Sequence, residues 1–164
     1  MPEIIKDGKI ISDDWLLVMD SDQLQDTRSS NQPIFIAYDL WQDCKQELDN
    51  RRQVGVVLNP DQPANLIAED LSRLAAVAVN VTAFMDGRGF SYARELRETL
   101  KFRGEIRVIG HFMRDQLFYF QRCGANAFQF ADETDLSAAL ASLTDFSDAY
   151  QASADKAEPL FLRR

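Results

Sequence analysis

The sequence predicts an α/β fold: a mainly parallel sheet of about five βα units, preceded by an N-terminal β-hairpin. Three observations predict it. Short apolar runs recur between residues 34 and 143 and alternate with segments whose apolar residues fall at helical spacing. The runs are mostly apolar, as strands covered on both faces are. Asp7-Gly8 stands between the apolar pairs Ile4-Ile5 and Ile10-Ile11, a strong hairpin signal. A doubly wound open sheet is the first arrangement the alternation suggests. A partial (βα) barrel is the second, since 164 residues fall short of eight units.

The elements follow in order. Residues 1–20 form the hairpin region, and Asp20 to Gln32, polar with Ser29-Ser30-Asn31, reads as a loop. Ile34–Tyr38 is a buried strand, after which Trp41, Cys44 and Leu48 share one helical face. Val54–Leu58 is the second strand, and Ala64–Leu74 a helix turning Ile67, Leu71 and Leu74 inward. Ala76–Val81 is the third strand, followed by a helix from Ser91, whose hydroxyl suits an N-cap. Ile106–Gly110 is the fourth, and Phe112–Arg122 a helix stopped by Gly124. Ala127–Phe130 is the fifth, with Leu136, Ala139, Leu140 and Leu143 on a last inward face. All of this makes one domain, with a core over 34–150 and a flexible tail over 151–164 that ends in Leu160-Phe161-Leu162-Arg163-Arg164.

Composition narrows the classes. A formal net charge of −8 argues against nucleic-acid binding, which rests on phosphate neutralisation, and favours a partner with a basic face. No apolar run approaches the ~20 residues of a membrane span. The opening Met1-Pro2-Glu3-Ile4-Ile5-Lys6-Asp7 lacks the basic-then-apolar pattern of a secretory signal. Cys44 and Cys123 are far apart and form no CxxC, which fits two buried free thiols in a reducing cytoplasm. With one histidine and two distant cysteines, no metal set is expected, and no GxGxxG, GxxxxGK[ST] or GxSxG motif calls for a cofactor or a nucleophile elbow.

One stretch reverses the charge balance. Between Met85 and Phe130 eight basic residues face five acidic ones, and the chain's only histidine, His111, lies among them. The stretch opens with Asp86-Gly87-Arg88-Gly89. Backbone N–H groups at a glycine-rich helix start, beside an arginine, suit a small anion, so Arg88, Gly89 and Ser91 are candidate anion-binding residues. A plain turn, with Asp86 bonding its own backbone, is the alternative. Arg94, Arg97 and Lys101 read as a solvated, salt-bridged helix face.

In open parallel sheets ligands bind at the carboxyl ends of the strands. The residues just beyond those ends are Asp39, Asn59, Asp86 with Arg88, His111, and Asp132 with Glu133. Asp86 and His111 are the catalytic candidates if the protein has acid–base chemistry.

The run Phe84-Met85-Asp86-Gly87-Arg88-Gly89-Phe90-Ser91-Tyr92-Ala93-Arg94-Glu95-Leu96-Arg97 carries a family resemblance. So do Gly104-Glu105-Ile106-Arg107-Val108-Ile109-Gly110, Arg114-Asp115-Gln116-Leu117, Arg122-Cys123-Gly124 with Phe128, Phe146-Ser147, Tyr150-Gln151 and Pro159-Leu160-Phe161. Over about the last two-thirds of its length the chain resembles a bacterial domain-of-unknown-function family. Its members are typically encoded beside the sulfite reductase haemoprotein and are labelled as oxidoreductases of sulfite reduction. The resemblance implies an accessory role in assimilatory sulfite reduction, with the haemoprotein as partner and electron chemistry supplied there. Sulfite is a small oxyanion, consistent with the anion site. Two alternatives stand beside it: a small cytoplasmic enzyme acting on an anionic metabolite through Asp86, Arg88 and His111, and a scaffold subunit without a ligand.

Overall fold

Asp7 and Gly8 both take positive φ, 49° and 72°, as a two-residue type I′ turn requires. They fold β1 (Glu3–Lys6) back on β2 (Lys9–Ser12). The structure, a computed structural model, describes residues 2–131, 133–144, 151–159 and 162. After the hairpin come β3 (Leu16–Val18), α1 (Ser21–Thr27), β4 (Ile34–Ala37), α2 (Tyr38–Cys44), β5 (Val54–Leu58) and β6 (Ala76–Val81). Then follow α3 (Arg88–Arg94), β7 (Glu105–Gly110), α4 (Leu117–Arg122), β8 (Ala127–Phe130) and α5 (Leu136–Ser142).

The strands form one eight-stranded sheet in the order β2-β1-β8-β7-β6-β5-β4-β3. β3 to β8 are parallel, while β1 is antiparallel to both β2 and β8. The α/β class and the hairpin are as the sequence predicts. The doubly wound arrangement is corrected in favour of the partial barrel. A doubly wound sheet reverses its order at a switch point; here the parallel strands run consecutively, so each right-handed crossover returns on the same face. The sheet must also curl. Eight strands laid flat span ~34 Å, yet the edge strands β2 and β3 are joined by Asp13, Asp14 and Trp15 alone. Four Cα steps reach at most ~15 Å.

Other expectations need correction. Residues 20–32 hold α1, because Asp20 Oδ1 accepts the Gln23 N–H at 2.8 Å while Gln23 Oε1 accepts the Met19 N–H at 2.7 Å. The first bond satisfies a donor that a helix start leaves orphaned, and the second ties the residue before the cap to the same turn. The expected helix over Ala64–Leu74 is two 3-10 turns, Ala64–Ile67 and Leu71–Arg73. Between them the chain bends to bury Asp70, which accepts from the Trp41 indole at 3.0 Å and pairs with Lys45 at 3.3 Å. α3 begins at Arg88, not Ser91: the Asp86 carboxylate takes the Arg88 N–H at 3.1 Å, and Ser91 lies a turn inside the helix.

α3 continues as a π-helical turn, Glu95–Thr99. From it the half-buried Arg97, expected on a solvated face, reaches back to the carbonyls of Phe102, Gly104 and Gly124. Arg94 does lie on that face, 4.0 Å from Glu98.

The helices cover the outer face of the curl. There Trp41, Leu58, Ile67, Val79, Leu96, Phe120 and Phe128 belong to one large buried cluster. A smaller cluster of Phe35, Val57, Ala76 and Ala78, joined by Trp15 and Ile109, lies apart from it on the inner face. Cys44 and Cys123 are buried free thiols. Near the end of the described chain, Ser153 and Asp155 are tied to α4: Ser153 Oγ donates to the Arg122 carbonyl at 2.5 Å, and Asp155 pairs with Arg122 at 2.9 Å. Phe146, Ser147, Tyr150, Leu160, Phe161, Arg163 and Arg164 lie outside the described residues. Among the described residues no helix is long and apolar enough to cross a membrane.

Candidate functional site

The inner face is built in rungs. The lowest aligns Phe35, Gly55, Ala76 and Glu105 across four strands. The next aligns Ala37, Val57, Ala78, Arg107, Ala127 and Lys6. The third aligns Asn80, Ile109 and Gln129. Large and small residues alternate for a reason. A Cβ on Gly55 would stand 2.5 Å from two atoms of the Phe35 ring, so the bare backbone of β5 gives that ring its space. Ala76 and Ala78 leave similar room for the Arg107 guanidinium, which lies 4.7 Å from the centre of the Phe35 ring.

Arg107 is nearly saturated. It donates to Asp13 at 2.8 and 3.0 Å, to Glu105 at 2.6 Å and to the Gln129 side-chain carbonyl at 3.2 Å. Lys6 pairs with the other Glu105 oxygen at 2.7 Å. Two cations and two carboxylates therefore cancel. The Arg107, Asp13 and Glu105 side chains are only 1%, 3% and 5% exposed, so each charge depends on its partners.

Above this neutral floor, toward the carboxyl ends of the strands, the curl opens into a cavity of about 490 Å³. Trp15, Leu17, Met19, Phe35, Val57, Ile109 and Phe130 make apolar walls. Asn80, Thr82, His111 and Gln129 bring polar groups to it. Gly110 takes a φ of 102°, and a Cβ there would lie 2.4 Å from the Val81 carbonyl and 2.8 Å from Asn80 Oδ1. The missing side chain lets Asn80 sit against the end of β7. A larger hollow of about 720 Å³ lies between α4, α5 and Asp155, away from these strand ends.

The strand-end residues predicted from sequence fall into two groups. Asn59 and Asp39 join a polar chain across β4, β5 and β6. Gln62 donates to Asp39 at 3.2 Å and accepts the Asn59 N–H at 3.0 Å, and Asn80 donates to Asn59 at 2.9 Å. His111 lines the cavity, its backbone N–H held by the Val81 carbonyl at 2.8 Å.

Asp86 and Arg88 do not line the cavity. Asp86, on the loop after β6, and Arg88, the first residue of α3, form a two-bond pair at 2.9 and 2.7 Å. The Arg88 guanidinium beside Asp86 holds its carboxyl below the ordinary range, and Asp86 in turn holds the Arg88 proton more tightly. Gly89 is buried against Val79, Val81 and Phe120, and Ser91 is exposed on α3. Glu133 is exposed, and Asp132 lies outside the described residues. Among the described residues no group of three His, Cys, Asp or Glu side chains is placed to hold a metal ion.

Sequence reasoning passed over Asn80, Thr82, Arg107 and Gln129. Three of them carried a signal: each of Asn80, Arg107 and Gln129 is a lone polar residue inside an apolar strand (AVAVNV, IRVIG, AFQF). A polar residue buried in such a run needs a partner or a purpose.

Residues 55–161 match the model of a family described as bacterial protein of unknown function (DUF934). The chain belongs to this family. The DUF934 match begins within β5 and takes in Asn80, Arg107, His111 and Gln129, whereas Asp13, Trp15 and Phe35 precede it. No curated protein matches the chain.

Proposed function

We propose that this protein is an accessory component of assimilatory sulfite reduction that works with the sulfite reductase haemoprotein, and that the strand-end cavity is its ligand site. The reading rests on the resemblance of the Phe84–Arg97 run, and of the motifs after it, to small proteins encoded beside that enzyme. The geometry supports a protein partner. Phe84, Met85 and Met113 are 56%, 83% and 53% exposed on the loops after β6 and β7, at the cavity's end of the sheet. Gln116 ties those loops together, donating to the Phe84 carbonyl and accepting the Met113 N–H, each at 3.0 Å. Exposed apolar side chains on two joined loops are consistent with an interaction surface there. A sulfite ion at Arg88, the oxyanion part of this reading, would compete with the Asp86 carboxylate.

The test is a deletion strain grown with sulfate or with cysteine as sulfur source. Poor growth on sulfate, rescued by cysteine or by the intact gene, supports the role. Normal growth on sulfate removes it.

A further inference from the structure

We infer that the strand-end cavity takes an uncharged, planar ring bearing a carbonyl group (a carboxamide or lactam), not a free anion. The inference deepens the proposed ligand site and rests on that cavity being one.

It follows from what orients Gln129. Arginine has no acceptor, so the Gln129 oxygen must be the end that meets Arg107, as it does at 3.2 Å. Gln129 also lines the cavity, and its NH₂ serves as a donor to whatever fills it. Donors of this kind serve a neutral carbonyl and an anion alike; charge decides between them. Arg107 and Lys6 are matched by Asp13 and Glu105, so the floor supplies no net positive charge to repay an anion's lost hydration. A neutral carbonyl loses far less water. The rest of the cavity suits a flat apolar body: the Trp15 and Phe35 rings, 4.4 Å apart, form one wall, with Ile109 set between Asn80 and Gln129 on their rung.

The test uses two molecules of one shape, 2-naphthamide and 2-naphthoate, with sodium sulfite as third probe. Each is titrated into the full chain while the side-chain NH₂ signals of Gln129 are followed by NMR. The amide should shift those signals and bind on the order of tenfold tighter than the carboxylate, which gives up more hydration on entering. Gln129→Leu should weaken the amide by a similar factor, and Ile109→Trp, which fills the cavity from another strand, should abolish binding in a chain with unchanged backbone shifts. Equal or tighter binding of naphthoate or sulfite at Gln129 would overturn the ligand class while keeping the cavity as a site. No shift at Gln129 with any probe would overturn both, and neither result bears on growth with sulfate.

Discussion

Asp13 and Arg107, 94 residues apart in the chain, meet through two hydrogen bonds of 2.8 and 3.0 Å inside the curl of the sheet. Asp13 sits on the three-residue link between the two edge strands, and Arg107 on an inner strand, so the pair pins the link across the inner face. Asp13→Ala leaves a buried guanidinium one carboxylate short. Breaking a buried pair in this way costs ~3–5 kcal/mol. Urea unfolding should show a loss of that size, and a loss below ~1 kcal/mol would mean that the link is held by other contacts.

The fit of Phe35 over Gly55 makes a second prediction. Gly55→Ala puts a methyl group 2.5 Å from the ring, and overpacking of this kind costs about 1–3 kcal/mol. Phe35→Leu should relieve the clash, so the double variant is less destabilised than the two single losses added together. Additive losses in a double-mutant cycle would place the strain elsewhere.

Asp86 should titrate below an ordinary aspartate, for which 3.8 is the reference, because Arg88 donates to its carboxylate. A depressed carboxyl pKa stabilises the fold above the unfolded value and loses that contribution as pH falls through the folded one. The Asp86 carboxyl carbon followed by NMR should therefore give a midpoint below 3.8, returning toward it in Arg88→Ala. An unchanged midpoint in the variant would show that the pair does not persist in solution.

Burial raises the pKa of both Cys44 and Cys123 thiols, which lowers the thiolate fraction at neutral pH. The native protein should react with a thiol-specific disulfide reagent far more slowly than the urea-unfolded chain. Fast native labelling of either residue would contradict the packing described.

The strands from β4 to β8 were legible because each is a mostly apolar run, and burial on two faces leaves that mark in sequence. Their order was not. Consecutive and reversed arrangements need the same runs and similar crossovers, and the curl follows from the link Asp13–Trp15, which joins edges that no local pattern identifies. β3, at three residues, is too short to show a period. The cap at Asp20 and Gln23 was readable, yet the polar composition around it favoured a loop. That Asn59, Asp39 and His111 lie at the strand ends was readable from their places after strands. Arg107 and Gln129 needed the register, since nothing local shows that Asp13 lies against them.

Complex formation with the sulfite reductase haemoprotein tests the central claim most directly. The purified chain and haemoprotein should co-elute at low ionic strength. The complex should weaken toward 1 M salt, where the Debye length falls from ~10 Å at 0.1 M to ~3 Å. Replacing exposed Met85 and Met113 with Asp should weaken it without unfolding the chain. Separate elution of the two wild-type proteins at low ionic strength would contradict the account.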